Sequence, residues 1–238
     1  MDIWLLALKV RQSLQERGVG RTLRGTLRTL RPRGEIDEFD LHYGVNTSGD
    51  EPLWRLDIAS PNARFGIRHQ TTSEWELRAA IQFLGGDPTR FTFIDLGCGK
   101  GRTLIAASRL GFRQSIGVEF ARELADAART NLVKLQIADA SVLHCDAADF
   151  LFPAGNLVIY LYNPFTAPVM TKVIANLGQS CAHRPGDEIY VVYKEPQCAT
   201  ILDSATALKR VGTPPGAKHM TVWKTGDAGT CIVPPARS

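Results

Sequence analysis

The stretch Phe91-Thr92-Phe93-Ile94-Asp95-Leu96-Gly97-Cys98-Gly99-Lys100-Gly101-Arg102 decides the fold. Its first half is a short apolar run of the kind that forms a buried strand, and glycine then recurs at every second position. A stretch of helical composition follows, with apolar residues at positions 104–107. Strand, glycine turn and helix in this order predict the first unit of a doubly wound sheet. In such a sheet a ligand lies beyond the carboxyl end of the strand, where glycine lets the backbone bend sharply and approach the ligand closely.

The spacing of these glycines discriminates between ligands. Gly97, Gly99 and Gly101 form a G-x-G-x-G pattern after Asp95, whereas a dinucleotide fingerprint reads G-x-G-x-x-G and holds a pyrophosphate. The phosphate-loop pattern is absent too, because Lys100 is followed by glycine and arginine rather than by serine or threonine. The pattern therefore favours a ligand without phosphate, and Asp95 suits a ligand with a cationic end. S-adenosylmethionine has both properties.

Outward from this unit, short apolar runs alternate with stretches of helical composition. Alternation of this kind predicts an α/β fold of three layers, with a mainly parallel sheet covered by helices on both faces. A serine-to-glutamate capping box at residues 73–76 predicts one further helix, which ends near Leu84 before two glycines. The apolar runs are 91–96, 115–118, 141–144, 157–162, 189–193 and 220–223, and the helical stretches between them include 101–110, 121–135 and 167–177.

The D-x-G-x-G-x-G stretch resembles the first motif of the class I S-adenosylmethionine-dependent methyltransferases, which have a seven-stranded, Rossmann-like sheet. The resemblance covers residues 73–224 and is strongest to uncharacterised bacterial members and to the lysine N-methyltransferases of this fold. It implies the strand order 3-2-1-4-5-7-6, with an antiparallel seventh strand near residues 219–224. It also implies that S-adenosylmethionine is the cofactor and that the three glycines line its methionine and ribose portions.

Two further acids stand where this family pattern expects them. Glu119 ends the second apolar run, and an acid at that place can accept hydrogen bonds from both ribose hydroxyls. Asp146 follows the third run and matches an acid that meets the adenine amino group in the family. Asp149 is an alternative for this role, or it simply starts a helical turn. The complete predicted cofactor-binding set is Asp95, Gly97, Cys98, Gly99, Gly101, Glu119, Asp146 and Ala147.

The predicted catalytic turn is Asn163-Pro164-Phe165, directly after the fourth apolar run. It resembles the [DN]-P-P-[YF] turn of amino-group methyltransferases, but one proline is missing, and this departure weakens a direct comparison with adenine methyltransferases of nucleic acids. The resemblance implies that Asn163 and the Pro164 carbonyl accept the N–H groups of an acceptor amine, and that Phe165 forms a wall of the pocket. Asn-Pro is also a common turn after any strand.

Several other residues receive weaker predictions. Tyr193 or Glu195 could contact substrate, because they follow the fifth apolar run at the rim of the same pocket. Trp75 and Trp223 are expected to be core or packing residues rather than platforms for a ligand. The histidines and cysteines show no metal-ligand spacing, so no metal site is expected. The odd cysteine number and the lack of an apolar span favour a cytoplasmic chain with reduced thiols.

Charge and composition divide the chain into four parts. Residues 1–34 hold eight of the 28 basic side chains and two of the 24 acids, so the remainder carries 20 basic against 22 acidic side chains. We therefore expect a basic helical extension over 1–34 that packs as a solvated arm on the body of the protein, with contact to an acidic partner or an anionic membrane surface as the alternative. A loop-rich cover is expected over 35–72, the cofactor-binding domain over 73–226, and a tail over 227–238.

These observations leave three functions open. The first is a methyltransferase that acts on an amine nitrogen, with protein lysine slightly ahead of other acceptors. The second is a methyltransferase that acts on a small metabolite or on a nucleic-acid base, although the acidic balance outside 1–34 counts against nucleic acid. The third is a protein that binds the cofactor without catalysis, which the intact glycines and acids disfavour. The sequence does not fix the acceptor, the number of methyl groups transferred or the oligomeric state.

Overall fold

A computed structural model of the protein describes residues 37–49, 56, 58, 60–67, 71–184 and 186–226. The expected basic extension over 1–34 and the expected tail over 227–238 lie outside these residues. None of the described helices is long and apolar enough to cross a membrane. Within the same ranges, histidine, cysteine and acidic side chains form no group of three that could hold a metal ion.

A seven-stranded sheet forms the centre of the described fold. Its strand order is β3-β2-β1-β4-β5-β7-β6, and β7 is antiparallel to both β5 and β6 while the other neighbours are parallel. The predicted order and the antiparallel seventh strand are thereby confirmed. The strands are β1 (Thr92–Leu96), β2 (Gln114–Glu119), β3 (Ala140–His144), β4 (Leu157–Tyr162), β5 (Ile189–Lys194), β6 (Leu208–Gly212) and β7 (Met220–Thr225).

Helices cover both faces of this sheet, as predicted. They are α1 (Glu38–Tyr43), α2 (Glu74–Leu84), α3 (Arg102–Arg109), α4 (Arg122–Lys134), α5 (Ala167–Ala182) and α6 (Ala199–Asp203). One apolar cluster joins α2, α3 and α4 to one face, and a second joins α5 and α6 to the other. Strand β1 shows the alternation, because Phe93 belongs to the first cluster whereas Ile94 belongs to the second.

Three local expectations differ from the structure. Strand β6 has no counterpart among the predicted apolar runs, because it is an edge strand with mostly exposed residues. Helix α1 lies in the segment that was expected to be loop-rich; Asp37 accepts a hydrogen bond from the Phe39 N–H at its start and Gly44 ends it. Trp75 is 62% exposed, so the expectation that it packs in the core was wrong, whereas Trp223 is fully buried as expected.

Buried polar contacts join the segment 37–49 to the first residue of α3 and to α4. Arg102, the first residue of α3, donates to Asp37 Oδ2 at 2.8 Å and to Thr47 Oγ1 at 2.8 Å. Asp40 accepts from the Thr47 N–H at 2.9 Å and lies 3.6 Å from the Arg102 guanidinium. Asn131 of α4 donates both to the Asn46 carbonyl and to the carbonyl of the glycine loop at Lys100, each at 3.0 Å. Segment 37–49 and the glycine loop are therefore held together through Asn131.

Candidate functional site

The glycine loop has the sharp backbone course that its sequence predicts. Gly97, Gly99 and Gly101 have φ values of 89°, 55° and 84°, which lie in the left-handed region. The close approach is tightest at Gly97, where an added Cβ would lie 2.7 Å from Pro164 Cβ. A side chain at position 97 would fill the space in which loop and turn meet.

An open cleft of about 650 Å³ lies beside this loop at the carboxyl ends of the strands. Six of the predicted site residues line it together: Gly97, Glu119, Asp146, Ala147, Pro164 and Phe165. The other five do not line it and are buried instead: Asp95, Cys98, Gly99, Gly101 and Asn163.

The carboxylate of Glu119 joins the glycine loop to the start of α4. Its Oε2 accepts from the Gly99 N–H and its Oε1 accepts from the Ala121 N–H, both at 2.9 Å. Each oxygen keeps a further lone pair, since a carboxylate has about four acceptor sites. Burial raises the pKa of Glu119 to about 7, although the backbone donors act in the opposite direction.

Asp95 lies deeper than Glu119. Its carboxylate accepts a hydrogen bond from the Thr103 hydroxyl in the first turn of α3. Burial, with a smaller contribution from the charge of Glu119, raises the pKa of Asp95 to about 7. Asp95 thus joins β1 to the first turn of α3 and does not line the cleft.

Cys98 is a packing residue of the loop. It is 4% exposed, and an added Cβ at Gly117 of β2 would lie 2.6 Å from its Sγ. Burial raises the pKa of the Cys98 thiol, so the neutral thiol is the stable form. The side chain occupies space that the missing side chain of Gly117 leaves open.

Asp146 is the second acid of the cleft, and it is held from two sides. Its Oδ1 accepts from the Ala148 N–H at 2.8 Å and so caps a short helical turn over Ala147–Asp149. Its Oδ2 accepts from Asn62 Nδ2 at 2.9 Å and also from the Ser60 hydroxyl. Asp149, the alternative acid, lies within the short turn and has an exposed side chain.

The turn after β4 is tied to its surroundings by two hydrogen bonds. Asn163 is 3% exposed, has a left-handed φ of 40°, and accepts at Oδ1 from the Tyr193 hydroxyl at 3.1 Å. The Pro164 carbonyl accepts from the Ile67 N–H at 2.8 Å. Tyr193 is fully buried and so reaches the turn only through Asn163, while Glu195 is exposed.

Sequence reasoning missed the residues that the cover segment contributes to this cleft. Asn62, Gly66 and Ile67 line it, and so does Tyr162 at the end of β4. The cover residues stand in an irregular stretch with no hydrophobic period, and their partners lie more than 80 positions away in the case of Asp146. The one sequence signal that could have indicated a further cleft residue is Tyr162, an aromatic residue directly before the predicted turn.

Residues 93–183 match a family described as a methyltransferase domain. This part of the chain is therefore similar to methyltransferase domains. The matched residues run from β1 to the end of α5 and include the glycine loop, both cleft acids and the turn after β4.

Two curated relatives and one solved structure are similar to parts of this chain. A ribosomal protein L11 methyltransferase of Enterobacter sp. (strain 638) is 35% identical over 104 residues, which are 39% of this chain and 33% of that protein. An uncharacterized protein of Methanocaldococcus jannaschii is 37% identical over 78 residues, which are 32% of this chain and 35% of that protein. The chain thus spans about a third of the length of these relatives.

The solved structure is a SAM-dependent methyltransferase from Aquifex aeolicus. It aligns with a TM-score of 0.50 and 16% identity, and the alignment covers 65% of this chain and 93% of that chain. At this identity the likeness concerns the fold alone. It agrees with the seven-stranded order observed in the methyltransferase domain.

The residues of the cleft fit an S-adenosyl group in shape and in chemistry. Gly97 provides bare backbone at the point where an added Cβ would collide with Pro164. Glu119 and Asp146 place carboxylate acceptors along the same cleft, and hydroxyl and amino groups of a nucleoside are the donors that such acceptors need. Phe165 and Val169 supply apolar wall.

Proposed function

We propose that the protein is an S-adenosylmethionine-dependent methyltransferase that methylates an amine nitrogen, with protein lysine as the favoured acceptor. One observation carries the proposal. A single cleft contains the two carboxylates Glu119 and Asp146 together with the Pro164–Phe165 turn, and Gly97 is in contact with that turn. A methyl donor bound by Glu119 and Asp146 would therefore have one end beside the Pro164–Phe165 turn, where the acceptor would bind.

Each cofactor-binding residue has a distinct part in this proposal. Glu119 would accept from the ribose hydroxyls through its remaining lone pairs, and Asp146 from the adenine amino group. Ala147 would pack on the adenine ring. Asp95 and the backbone at Gly97 would favour the cationic methionine end. Bound S-adenosylmethionine supplies a methyl carbon that is already activated by its sulfonium, so the protein has chiefly to position the acceptor.

The acceptor would be oriented by the turn after β4. Asn163 Oδ1 and the Pro164 carbonyl each accept one internal hydrogen bond and each retain a second lone pair. Pro164 lines the cleft, whereas Asn163 is buried and would have to turn toward the cleft when the acceptor binds. These lone pairs suit the N–H groups of an amine, whose own lone pair would then face the methyl group. Phe165 would wall the pocket. A lysine amine has a pKa of about 10.4 in water, so the rate should rise with pH until the bound amine is neutral.

A protein acceptor has one further support. The Enterobacter relative is a methyltransferase of ribosomal protein L11, so a related domain acts on a protein. The acidic balance of the chain outside 1–34 counts against nucleic acid.

The domain division belongs to the same proposal. Residues 73–226 would form the catalytic unit, and residues 35–72 would cover it. The basic segment 1–34 would contact an acidic partner or an anionic surface, and it is the natural place for recognition of a large acceptor because it has eight basic side chains against two acids, whereas the rest of the chain has a small excess of acids.

The deciding experiment is methyl transfer from S-adenosylmethionine labelled in its methyl group to a fractionated cell extract. Label in protein that appears as methylated lysine after hydrolysis would support the proposal, while label in small molecules would favour the metabolite alternative. Binding of the cofactor without transfer to any fraction would favour a non-catalytic role. An Asn163→Ala variant that binds cofactor normally and keeps full turnover would remove the proposed role of the turn.

A further inference from the structure

The strap, which we define as residues 60–67, contacts both ends of the cleft. At one end Ser60 and Asn62 donate to Asp146 Oδ2. At the other end the Ile67 N–H donates to the Pro164 carbonyl at 2.8 Å, and the Phe65 carbonyl accepts from the Thr166 N–H at 2.9 Å. The backbone pairing fixes the strap on the turn after β4, and Asn62 is thereby held over Asp146.

The hydrogen bonds of Asp146 account for most of its acceptor capacity. A carboxylate has about four acceptor sites, two on each oxygen. Oδ2 uses both of its sites on the strap, and Oδ1 uses one on the Ala148 N–H. One site on Oδ1 is left for a donor in the cleft. The orientation of that site depends on all three bonds, because loss of the strap bonds would let the carboxylate rotate about the single bond that carries it.

We propose that Asn62 is a positioning residue for the purine end of the cofactor, which it serves by holding the Asp146 carboxylate in the orientation that accepts a purine amino group. The inference rests on the proposed function, since it presupposes that the cleft binds the S-adenosyl group. Asn62 itself lines the cleft, and its amide is the one side chain of the strap that both faces the cleft and donates to Asp146.

This arrangement has a consequence for specificity. A fixed, ionised carboxylate accepts hydrogen bonds and donates none. It therefore favours a purine with an amino group at position 6 and rejects one with an oxo group there, because two acceptors would then face each other. If Asn62 only stabilised the fold, its loss would leave the ratio of the affinities for the two purine ligands unchanged.

The test compares binding of S-adenosylhomocysteine and S-inosylhomocysteine by calorimetry. We expect the full-length wild type to prefer the adenine ligand by about a hundredfold. Asn62→Ala should weaken S-adenosylhomocysteine binding by about tenfold, which is the usual worth of a hydrogen bond to a charged group. The same variant should bind S-inosylhomocysteine almost as wild type does, so the preference falls to about tenfold.

The matched control is Asn176→Ala. Asn176 of α5 donates to the Ala148 carbonyl at 2.8 Å and thus supports the same short turn from the opposite side without touching the carboxylate. This variant should keep the hundredfold preference. A second control combines Asn62→Ala with Asp146→Ala, and in this background the loss of Asn62 should have no further effect.

Each outcome is decisive. The inference would be overturned if Asn62→Ala kept the wild-type preference for S-adenosylhomocysteine over S-inosylhomocysteine. It would also be overturned if Asn62→Ala weakened S-adenosylhomocysteine binding equally in the wild-type and Asp146→Ala backgrounds. The proposed function would stand in both cases. Tighter S-adenosylhomocysteine binding in Asn62→Ala would also overturn the inference, because the strap would then compete with the purine. Absence of any S-adenosylhomocysteine binding by the wild type would instead overturn the proposed function and the inference together.

Discussion

An added Cβ atom at Gly97 would lie 2.7 Å from the Cβ atom of Pro164. The loop after β1 and the turn after β4 therefore touch at a point where one partner has no side chain and the other has a rigid ring. β1 and β4 are parallel neighbours in the sheet, so this contact follows directly from the strand order. It places the predicted cofactor loop and the predicted acceptor turn next to each other.

Gly97→Ala should disrupt this contact. The new methyl group meets a rigid ring, and the φ of 89° is costly for any residue with a side chain. We expect the free energy of unfolding to fall by about 2 to 4 kcal/mol, with loss of cofactor binding. Urea denaturation and calorimetry would measure both quantities.

The control for this variant is Gly86→Ala. Gly86 also has a left-handed φ, of 84°, but an added Cβ there has no atom within 4 Å. It should cost only about 1 kcal/mol and leave cofactor binding intact. Equal effects of the two variants would show that backbone strain alone, and not the contact with Pro164, explains the loss.

Tyr193→Phe should reduce turnover without weakening cofactor binding. Its hydroxyl donates to Asn163 Oδ1 and so fixes the amide in the turn. Loss of this donor should lower kcat about tenfold, because small displacements of positioning groups are costly to the rate. Tyr190→Phe is the matched control on the same strand, since the Tyr190 hydroxyl donates to Glu188. Similar kcat values for the two variants would contradict a positioning role of Tyr193.

Glu119→Gln should weaken binding of S-adenosylmethionine by about tenfold or more. Glutamine keeps one acceptor oxygen and replaces the other with an amide NH₂ group, which would face either the Gly99 or the Ala121 N–H. Asp126→Asn on the outer face of α4 serves as control, because Asp126 is exposed and forms an ion pair with nearby Arg129. Calorimetry on both variants would check the expectation, and wild-type affinity in Glu119→Gln would refute it.

The stability of the ligand-free protein should fall as the pH rises from about 4 to about 7. Burial raises the pKa of Asp95 from 3.8 and that of Glu119 from 4.5, in each case to about 7. Between the unfolded and folded pKa values the native state binds more protons than the unfolded state, so deprotonation favours unfolding. Thermal melts across this range would measure the slope.

Asp95→Asn provides the comparison for that slope. The variant lacks one of the two buried acids, so its stability should depend less steeply on pH than that of the wild type. Parallel pH profiles would contradict a raised pKa for Asp95. Cofactor binding should show the opposite trend and tighten with rising pH, because the ionised carboxylates favour the cationic ligand.

Most of the fold could be predicted from local pattern. Strands such as β1, β4 and β5 are buried on both faces and so read as continuous apolar runs. Strand β6 could not be found in this way, because it lies at the edge of the sheet and its residues Lys209 and Arg210 are exposed. The exposure of Trp75 could not be predicted either, because the composition of a helix does not show which side of the helix an aromatic residue faces.

The candidate site was predictable where residues follow a strand end. Glu119 and Asp146 come directly after β2 and β3, and strand ends gather at one edge of a parallel sheet. Asn62 and Ile67 could not be predicted, since an irregular segment reveals its distant partners only after folding. The internal hydrogen bonds of Asn163 and Pro164 were missed for the same reason.

Arg102 has a consequence for how this domain can pass between proteins. It is 6% exposed and its guanidinium faces Asp37 and Asp40, which precede the matched stretch 93–183. A transplanted segment cut at residue 93 would lack Asp37, Thr47 and Asp40, so Arg102 would lose these hydrogen-bond and ion-pair partners. Recombination that moves residues 93–183 into another protein therefore has to move residues 37–49 as well, or replace Arg102 at the same time.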